Sequence, residues 1–246
     1  MMTNNQLSVP ELRGRELVSD DIHIWYASLE RPVIEFQNML SSDERYRAGR
    51  FHYKTDRNRF IIRHGILRTI LSFYLDTEPD RVRFNYGKND KPALANEYNE
   101  GKLYFNISSS EGLALYAFTR IGEVGVDIEC IHDISDMMQI TESYFSSAEN
   151  AALRTLPTSQ RKQGFFHCWT RKEAFIKAIG DGLSLPLDRF DVSLVPGEPA
   201  GLLAIEGSVT EATQWSMQDL KPASGFAAAF AVKGPVGNVN SWEWMN

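Results

Sequence analysis

The amino-acid sequence predicts an α+β fold with a substantial hydrophobic core. Short runs that alternate apolar and polar residues, typical of strands, are interrupted by two longer stretches in which apolar residues recur at helical spacing. With 43% apolar and 24% charged residues over 246 positions, the composition is that of an ordinary globular protein. A chain of this length is either one large domain or two small ones, and its composition leaves both open.

The predicted elements follow from local patterns. The first strand is predicted at 22–29, and a long, mostly buried helix is predicted to begin at the N-cap Asp56 and to end near residue 75. The capping-box pattern Ser146-x-x-Glu149 predicts a short helix, and a longer one is predicted from about residue 160 to a stop at Gly180. Further strands are predicted at 82–86, 103–107, 113–118, 124–129, 190–194, 202–205, 215–220 and 226–232. No sequence repeat is apparent.

Several classes of protein are disfavoured by the composition. The two cysteines, Cys130 and Cys168, are too few for a disulfide framework and lack zinc-site spacing, which predicts a cytoplasmic protein. No secretion signal is recognisable, and no apolar run approaches the ~18 residues that a membrane span needs. The net charge of −6, from 26 Lys and Arg against 32 Asp and Glu, argues against a general nucleic-acid binder.

Positive charge is nevertheless concentrated in one segment. Between residues 45 and 68 the only acid is Asp56, so the segment either binds an anion or forms a solvated basic face. Its basic residues are Arg45, Arg47, Arg50, Lys54, Arg57, Arg59, Arg63 and Arg68.

Carboxylates and a lysine form two further patterns. Asp127 and Glu129 alternate with apolar residues on a predicted strand, so both project from one face and could hold a hard cation such as Mg²⁺. On the later helix, Trp169, Glu173 and Lys177 share one face at four-residue steps. A Glu–Lys pair at this spacing is also a common surface ion pair, and D-x-E occurs by chance on many strands.

The motifs that contain these residues are more specific than their spacing. GVDIE at 125–129, WTRKEAFIK at 169–177, FNISSS at 105–110 and DKP at 90–92 resemble the signature motifs of 4′-phosphopantetheinyl transferases, in particular the double-length, surfactin-type enzymes. The similarity spans about residues 41–194. It implies two similar, pseudo-twofold halves at 1–122 and 123–246, each an antiparallel sheet packed with a long helix.

The resemblance also implies an activity. A monomer would bind coenzyme A between the halves and transfer its 4′-phosphopantetheine arm to a serine of an acyl, peptidyl or aryl carrier protein of fatty-acid, polyketide or peptide synthesis. The by-product would be 3′,5′-ADP. The resemblance implies neither a nucleic acid nor a membrane as partner.

The same resemblance implies roles for individual residues. Mg²⁺ or Mn²⁺ would be held by Asp127, Glu129 and Glu173. Lys177 would contact the phosphates, while Glu173 or a metal-bound water would accept the serine proton. The residues that would bind coenzyme A are Arg47, Arg59, Lys91, Pro92, Ser108, Ser109, Lys172 and Lys177.

Two positions depart from the surfactin-type pattern. Glu44 stands where these enzymes carry a lysine, and Ser109 stands where they carry a histidine. Both changes remove a cationic contact, so a weaker hold on the coenzyme A phosphates is expected, offset by the neighbouring Arg45 or Arg50. On this hypothesis Ser109→His lowers the KM for coenzyme A.

One segment and two other functions stay open. The apolar residues between 131 and 145 either pack in the core or help to dock the carrier protein. The three carboxylates could also serve a metal-dependent phosphodiesterase that releases free phosphopantetheine. A non-catalytic module could use the basic segment to hold RNA or an acidic protein, and would not need Asp127.

Overall fold

The computed structural model describes residues 16–87, 91–180 and 185–245, which form an α+β protein with eleven strands and seven α-helices. The strands are β1 Ile22–Ser28, β2 Phe84–Tyr86, β3 Pro92–Leu94, β4 Tyr104–Ser110, β5 Leu113–Thr119, β6 Val124–Cys130, β7 Phe190–Val192, β8 Leu202–Ile205, β9 Trp215–Leu220, β10 Phe226–Lys233 and β11 Val239–Glu243. The helices are α1 Ile34–Gln37, α2 Ser42–Gly49, α3 Lys54–Leu75, α4 Met137–Tyr144, α5 Ser147–Thr155, α6 Thr158–Ile179 and α7 Val209–Ala212.

The first large sheet has the strand order β11-β1-β5-β4. β5 pairs antiparallel with both β1 and β4, whereas β11 pairs parallel with β1, beginning with Ile22 opposite Val239. The buried face of α3 shares one hydrophobic core with this sheet, which includes Trp25, Ile66 and Phe118. Because β11 joins this sheet, the first core includes residues from the end of the chain, such as Trp244.

The second large sheet has the order β6-β10-β9 and is antiparallel throughout. The alanines of β10 at positions 227, 229 and 231 belong to the core that α6 covers, while Phe230 belongs to a core shared with the first sheet. Small side chains on the α6 side let the helix lie close to the strands. The closest approach is at Gly125 of β6, where an added Cβ would lie 1.9 Å from the carbonyl oxygen of Ala174.

The two large sheets share a connection pattern. Apart from β11, the first strand of each sheet is followed by a 22-residue helix and then by two further strands of that sheet, and the later of these two lies in the middle, as in β1-β5-β4 and β6-β10-β9. A two-stranded sheet follows each long helix, β2 with β3 and β7 with β8. A capping box precedes each long helix, formed by Ser41 with Glu44 and by Ser146 with Glu149.

Most predicted elements are confirmed, with shifts at their ends. The first long helix begins at Lys54 with Tyr53 as N-cap, so Asp56 lies inside its first turn. The second ends at Ile179, and its C-cap Gly180 has a φ of 79°, the left-handed conformation that glycine adopts without strain. Strands β3 and β11 and helices α2, α4 and α7 were not predicted, and Asp90 of the DKP motif lies outside the described residues. Within the described ranges, no helix is long and apolar enough to cross a membrane.

Candidate active site

The site begins with the two carboxylates of β6. The strand conformation places Asp127 and Glu129 on the face that looks toward α6, as their alternation with apolar residues predicts. Asp127 is buried and Glu129 is half-buried. Gly125 lies on the same face, and its missing side chain lets the α6 backbone approach the strand.

Strand β4 lies beside β6 and holds it through every second side chain. The Asn106 side-chain oxygen accepts the Val126 amide at 2.9 Å, and the Ser108 hydroxyl donates to Asp127 Oδ1 at 2.9 Å. The Ser110 hydroxyl donates to Glu129 Oε2 at 2.9 Å. These bonds fix one oxygen of each carboxylate. Asn106 and Ser110 were not predicted as site residues, although the period-two spacing of FNISSS puts them on the face that holds Ser108.

Helix α6 brings a cation to the carboxylates. Lys177 Nζ lies 2.6 Å from Asp127 Oδ1 and 3.0 Å from the Ser108 hydroxyl oxygen. Glu173, one turn earlier, is half-buried and interacts electrostatically with Asp127, Glu129 and Lys177. The structure therefore brings together five of the predicted residues, which are Ser108, Asp127, Glu129, Glu173 and Lys177.

The carboxylates of this cluster repel one another. Burial raises the pKa of Glu129, and the charge of Asp127 raises it further. The pKa of Glu173 is also raised, first by burial and then by Asp127, while Lys177 opposes the shift. Asp127 Oδ2 is buried and has no hydrogen-bond partner among the described residues. A positive charge placed among these carboxylates would reduce their repulsion and would give Asp127 Oδ2 a partner.

A metal ion fits these donors by type. All three predicted ligands are carboxylates, the oxygen donors that Mg²⁺ and Mn²⁺ prefer, and the unpaired Asp127 Oδ2 offers one coordination position. The side chains are not gathered around one point, however. In the part of the chain that the structure describes, no group of three or more His, Cys, Asp or Glu side chains is arranged to hold a metal ion.

Two adjoining cavities lie next to this cluster, on the α3 side of β4. The first has a volume of about 230 Å³, and its charged and polar lining includes Asp56, Arg59, Arg63, Ser109 and Glu111. The second has a volume of about 400 Å³ and is lined by Arg47, Arg50, Phe51, Phe60 and Arg63. The two cavities share the Arg63 side chain. The second is lined by three arginines and no acid and is suited to an anion, whereas the arginines of the first are balanced by Asp56 and Glu111.

Two of the predicted phosphate contacts line these cavities. Arg59 is held by Glu30, with 2.7 Å between Nη2 and Oε1, in an exposed pair. The Arg47 guanidinium lies over the Tyr86 ring at 5.1 Å from its centroid. Ser109 also lines the first cavity, where its hydroxyl accepts a bond of 2.9 Å from Arg63 Nη1. Arg63 was counted in the basic segment but was not predicted as a site residue, because only the folded chain places it against Ser109.

Lys91 and Pro92 lie before and at the start of β3. Lys91 Nζ donates to Glu123 at 3.0 Å and to the backbone oxygen of Lys177 at 2.7 Å, so it ties the loop before β3 to the end of α6. Pro92 opens β3 opposite Tyr86. Neither residue lines the arginine cavities.

Lys172 is placed away from the site. It lies beside Glu173 in sequence, but consecutive residues of a helix point about 100° apart, and its side chain enters the core. Its ammonium pairs with Glu149 at 2.8 Å and donates to the backbone oxygens of Leu187 and Phe190. The predicted contact between Lys172 and coenzyme A is therefore corrected to a structural role.

Glu44 also has a structural role. It is fully buried, caps α2 together with Ser41, and pairs with Arg68 at 2.7 Å. Arg68, counted above in the basic segment, donates to the backbone oxygens of Pro79 and Val82 and is likewise closed off from an anion. Glu44 does not line the arginine cavities. The presence of a glutamate where surfactin-type enzymes carry a lysine therefore does not simply remove a phosphate contact.

Comparison with known proteins agrees with this arrangement. A profile described as "4′-phosphopantetheinyl transferase superfamily" matches residues 123–231, and one described as "4′-phosphopantetheinyl transferase, N-terminal" matches residues 24–119. The chain is 38% identical over 229 residues to the 4′-phosphopantetheinyl transferase HetI of Nostoc sp., which covers 92% of this chain and 93% of the relative. The chain belongs to the 4′-phosphopantetheinyl transferase superfamily.

Within this superfamily the chain is of the surfactin type. It is 31% identical over 171 residues to the 4′-phosphopantetheinyl transferase Sfp of Bacillus subtilis, covering 68% of this chain and 74% of that relative. The chain is thus a transferase that acts on the 4′-phosphopantetheine group. Both profiles include parts of the candidate site, since β4 lies in the first matched region and β6 and α6 lie in the second.

Proposed function

We propose that this phosphopantetheinyl transferase moves the 4′-phosphopantetheine arm of coenzyme A onto a serine of a carrier protein and releases 3′,5′-ADP. The observation that carries the proposal is the cluster of Asp127, Glu173 and Lys177, which lies beside arginine-lined cavities. Coenzyme A bears both a pyrophosphate and a separate phosphate, which suits these two cationic regions. The reacting pyrophosphate belongs at the cluster, because that is where acid, base and cation occur together.

Lys177 supplies positive charge to the pyrophosphate. Its ammonium is partly exposed and is oriented by Asp127 and Ser108, so it is already positioned before a substrate arrives. A fixed cation stabilises the negative charge that builds up on the departing 3′,5′-ADP. Ser108 and Ser110 keep β4 attached to the carboxylates while this charge develops.

Glu173 is the candidate general base. Its raised pKa makes the carboxylate a better proton acceptor than an ordinary surface glutamate. In this role Glu173 takes the proton of the carrier serine as the serine oxygen attacks the phosphorus next to the pantetheine. The bond from that phosphorus to the bridging oxygen breaks, and the electron pair leaves with 3′,5′-ADP.

Asp127, Glu129 and Glu173 are the residues that would hold Mg²⁺ or Mn²⁺. When bound, the ion supplies charge neutralisation at the pyrophosphate. The unpaired Asp127 Oδ2 and the mutual repulsion of the carboxylates support this assignment.

The shared strand order supports two pseudo-twofold halves at 1–122 and 123–246, with β11 returning to the first sheet. Arg47 and Arg59 are proposed to contact coenzyme A from the cavities, and Lys91 and Pro92 from the start of β3. Half-buried Met137 and Met138 and exposed Tyr144 border the second core and suit a carrier-docking surface. The enzyme is proposed to act as a cytoplasmic monomer.

Intact-protein mass spectrometry tests the proposal. Purified apo carrier proteins of fatty-acid, polyketide and peptide synthesis are incubated with the enzyme, coenzyme A and Mg²⁺. A mass increase of one phosphopantetheine is expected with wild type and with the control Glu198→Gln, which changes an exposed acid away from the cluster. It should disappear with Glu173→Gln and with EDTA.

Two results would overturn the proposal. Release of free phosphopantetheine from coenzyme A without modification of any carrier would indicate a phosphodiesterase. RNA binding that falls steeply with salt and persists in Asp127→Ala, without carrier modification, would indicate a binding module.

A further inference from the structure

Two arginines of the basic segment lie apart from the arginine cavities. Arg45 of α2 and Arg57 of α3 line a separate cavity of about 410 Å³, the α1–α2–α3 cavity, to which the end of α1 also contributes. Arg45 lies two residues before Arg47, and Arg57 lies two before Arg59, so each points about 200° around its helix from the arginine that lines the arginine cavities. The basic segment therefore presents positive charge on two faces, and the candidate active site uses only one of them.

The positive charge of the α1–α2–α3 cavity is not balanced by the protein. Neither Arg45 nor Arg57 pairs with an acid among the described residues, and no acid of the described ranges lines the cavity. Gln37 and Asn38 add side-chain amides, which can donate further hydrogen bonds. Arg45 Nη1 donates to the Leu40 backbone oxygen, which orients its guanidinium. Two guanidinium groups at one cavity are stabilised by a ligand that carries negative charge.

The rest of the cavity lining is apolar. It consists of the buried side chains of Leu40, Ala48 and Ile61. Two of the helices that border the cavity also expose a large apolar side chain, since Ile34 of α1 is 73% exposed and Tyr46 of α2 is 71% exposed. Tyrosine and arginine are among the residue types enriched in the binding hot spots of protein interfaces. The cavity and its border therefore suit a ligand that carries an apolar group between negative charges.

A protein segment fits this chemistry better than a membrane or a nucleic acid. A lipid surface would contact the exposed Ile34 and Tyr46, but it would not fill a cavity recessed between three helices. Single-stranded RNA is held largely by stacking on aromatic rings, and the described lining of the cavity contains none. An acidic segment of a protein supplies both carboxylates for the arginines and an apolar side chain for the cavity.

We propose that the α1–α2–α3 cavity docks an acidic protein segment, whose carboxylates pair with Arg45 and Arg57 and whose apolar side chain enters the cavity. This site is separate from the carboxylate cluster, because its arginines face away from the arginine cavities beside that cluster. A partner bound there leaves the arginine cavities open. The inference does not rest on the proposed function.

Fluorescence anisotropy of a labelled peptide, EEDLEDE, titrated with the full chain tests the proposal. Wild type should bind this peptide about tenfold more tightly than the matched peptide EEDSEDE, because only leucine gains by burial in the apolar cavity. Combining Arg45→Ala with Arg57→Ala should weaken binding of EEDLEDE by about tenfold, the scale for two partly exposed charge pairs. Raising the salt concentration from about 50 to about 300 mM should weaken it further.

Two controls separate this site from the arginine cavities and from an effect on folding. Arg47→Ala removes a cation from the opposite side of the same helix and should change peptide affinity by less than about twofold. Because Arg45 and Arg57 are exposed, thermal melting of the double alanine variant should match that of wild type. The double variant Arg45→Lys with Arg57→Lys keeps both charges and should bind the peptide more tightly than the alanine variant does.

Several outcomes would overturn the inference. Equal binding of the two peptides would show that no apolar side chain enters the cavity, and absence of binding by wild type would show that no acidic segment docks there. Loss of binding in Arg47→Ala would place the peptide in the arginine cavities instead. Tighter binding of a uridine oligonucleotide or of phosphatidylserine vesicles, lost in the double alanine variant, would assign the cavity to RNA or to lipid. Carrier modification tests only the proposed function, so the two can fail separately.

Discussion

Lys172 and Glu149 form an ion pair in the core, with 2.8 Å between Nζ and Oε2. A similar arrangement occurs beside the first long helix, where Arg68 of α3 pairs with Glu44 at 2.7 Å. Each acid caps a short helix, each base lies at the corresponding position of a 22-residue helix, and each base donates to backbone oxygens of the segment after that helix. Each cation also lies over a phenylalanine ring, Lys172 over Phe190 and Arg68 over Phe84.

Because Lys172 is paired with Glu149 in the core, substitution of Lys172 should reduce stability rather than substrate binding. Lys172→Met should lower the free energy of unfolding by about 3–5 kcal/mol, because the buried Glu149 carboxylate loses its partner. Adding Glu149→Gln should restore part of this loss, since the glutamine is neutral. Chemical denaturation measures both effects. A stable Lys172→Met protein with weakened coenzyme A binding would instead support the predicted phosphate contact.

The Glu44 pair predicts the effect of restoring the surfactin-type lysine. Glu44→Lys should destabilise the protein by at least about 3 kcal/mol, because it removes the cap of α2 and places a second cation beside buried Arg68. It should not tighten coenzyme A binding. Tyr46→Lys is the matched control, since Tyr46 is exposed on the same helix beyond its first turn and should change stability by less than about 0.5 kcal/mol. Thermal melting and titration calorimetry distinguish the two outcomes.

The candidate cluster could be predicted from the sequence because its geometry is local. Alternation along β6 places Asp127 with Glu129, and a four-residue step along α6 places Glu173 with Lys177. The strand period of β6, the helix period of α6 and the packing of α6 on β6 therefore generate most of the cluster. The packing of the two elements depends on Gly125, which the GVDIE motif already contains.

The misassigned residues depend on long-range packing. A lysine is ordinarily a surface residue, so the WTRKEAFIK motif alone does not indicate that Lys172 turns inward. The structure places it on the buried face of α6, four residues after Cys168 and four before Ile176. The Arg63–Ser109 contact joins residues 46 positions apart, and no periodicity links them. Strand β11 was missed for the same reason, because its partner β1 lies near the other end of the chain.

Gly125→Ala should disable the site by separating its two elements. The added methyl would lie 1.9 Å from the Ala174 oxygen and 2.4 Å from the Ala178 nitrogen, and these backbone atoms cannot move without displacing α6. Lys177 would then lose its contact with Asp127. We expect carrier modification to fall by at least about a hundredfold, the scale on which small misplacements act, and stability to fall by about 1–3 kcal/mol.

Gly122→Ala is the control for this substitution. An added methyl at Gly122 meets no atom of the described residues within 4 Å, so activity and stability should stay close to wild type. Rates come from the time course of carrier mass, and stability from denaturation. Wild-type activity in Gly125→Ala would show that α6 can shift without harm to the cluster.

His64 should make the protein sensitive to acid. Burial, reinforced by the charge of Arg63, lowers the pKa of this histidine to about 3, against about 6.5 when it is exposed. The unfolded chain therefore binds a proton more readily than the folded chain between these values. The stabilising contribution of neutral His64 is complete above about pH 6.5 and is lost as the pH falls toward 3, by up to about 1.4 kcal/mol per pH unit.

Urea denaturation from pH 7 to 4 measures this loss. The free energy of unfolding should decline less steeply for His64→Gln than for wild type, while His52→Gln, at an exposed histidine, should follow wild type. Parallel declines for all three proteins would mean that His64 is not kept neutral by the fold.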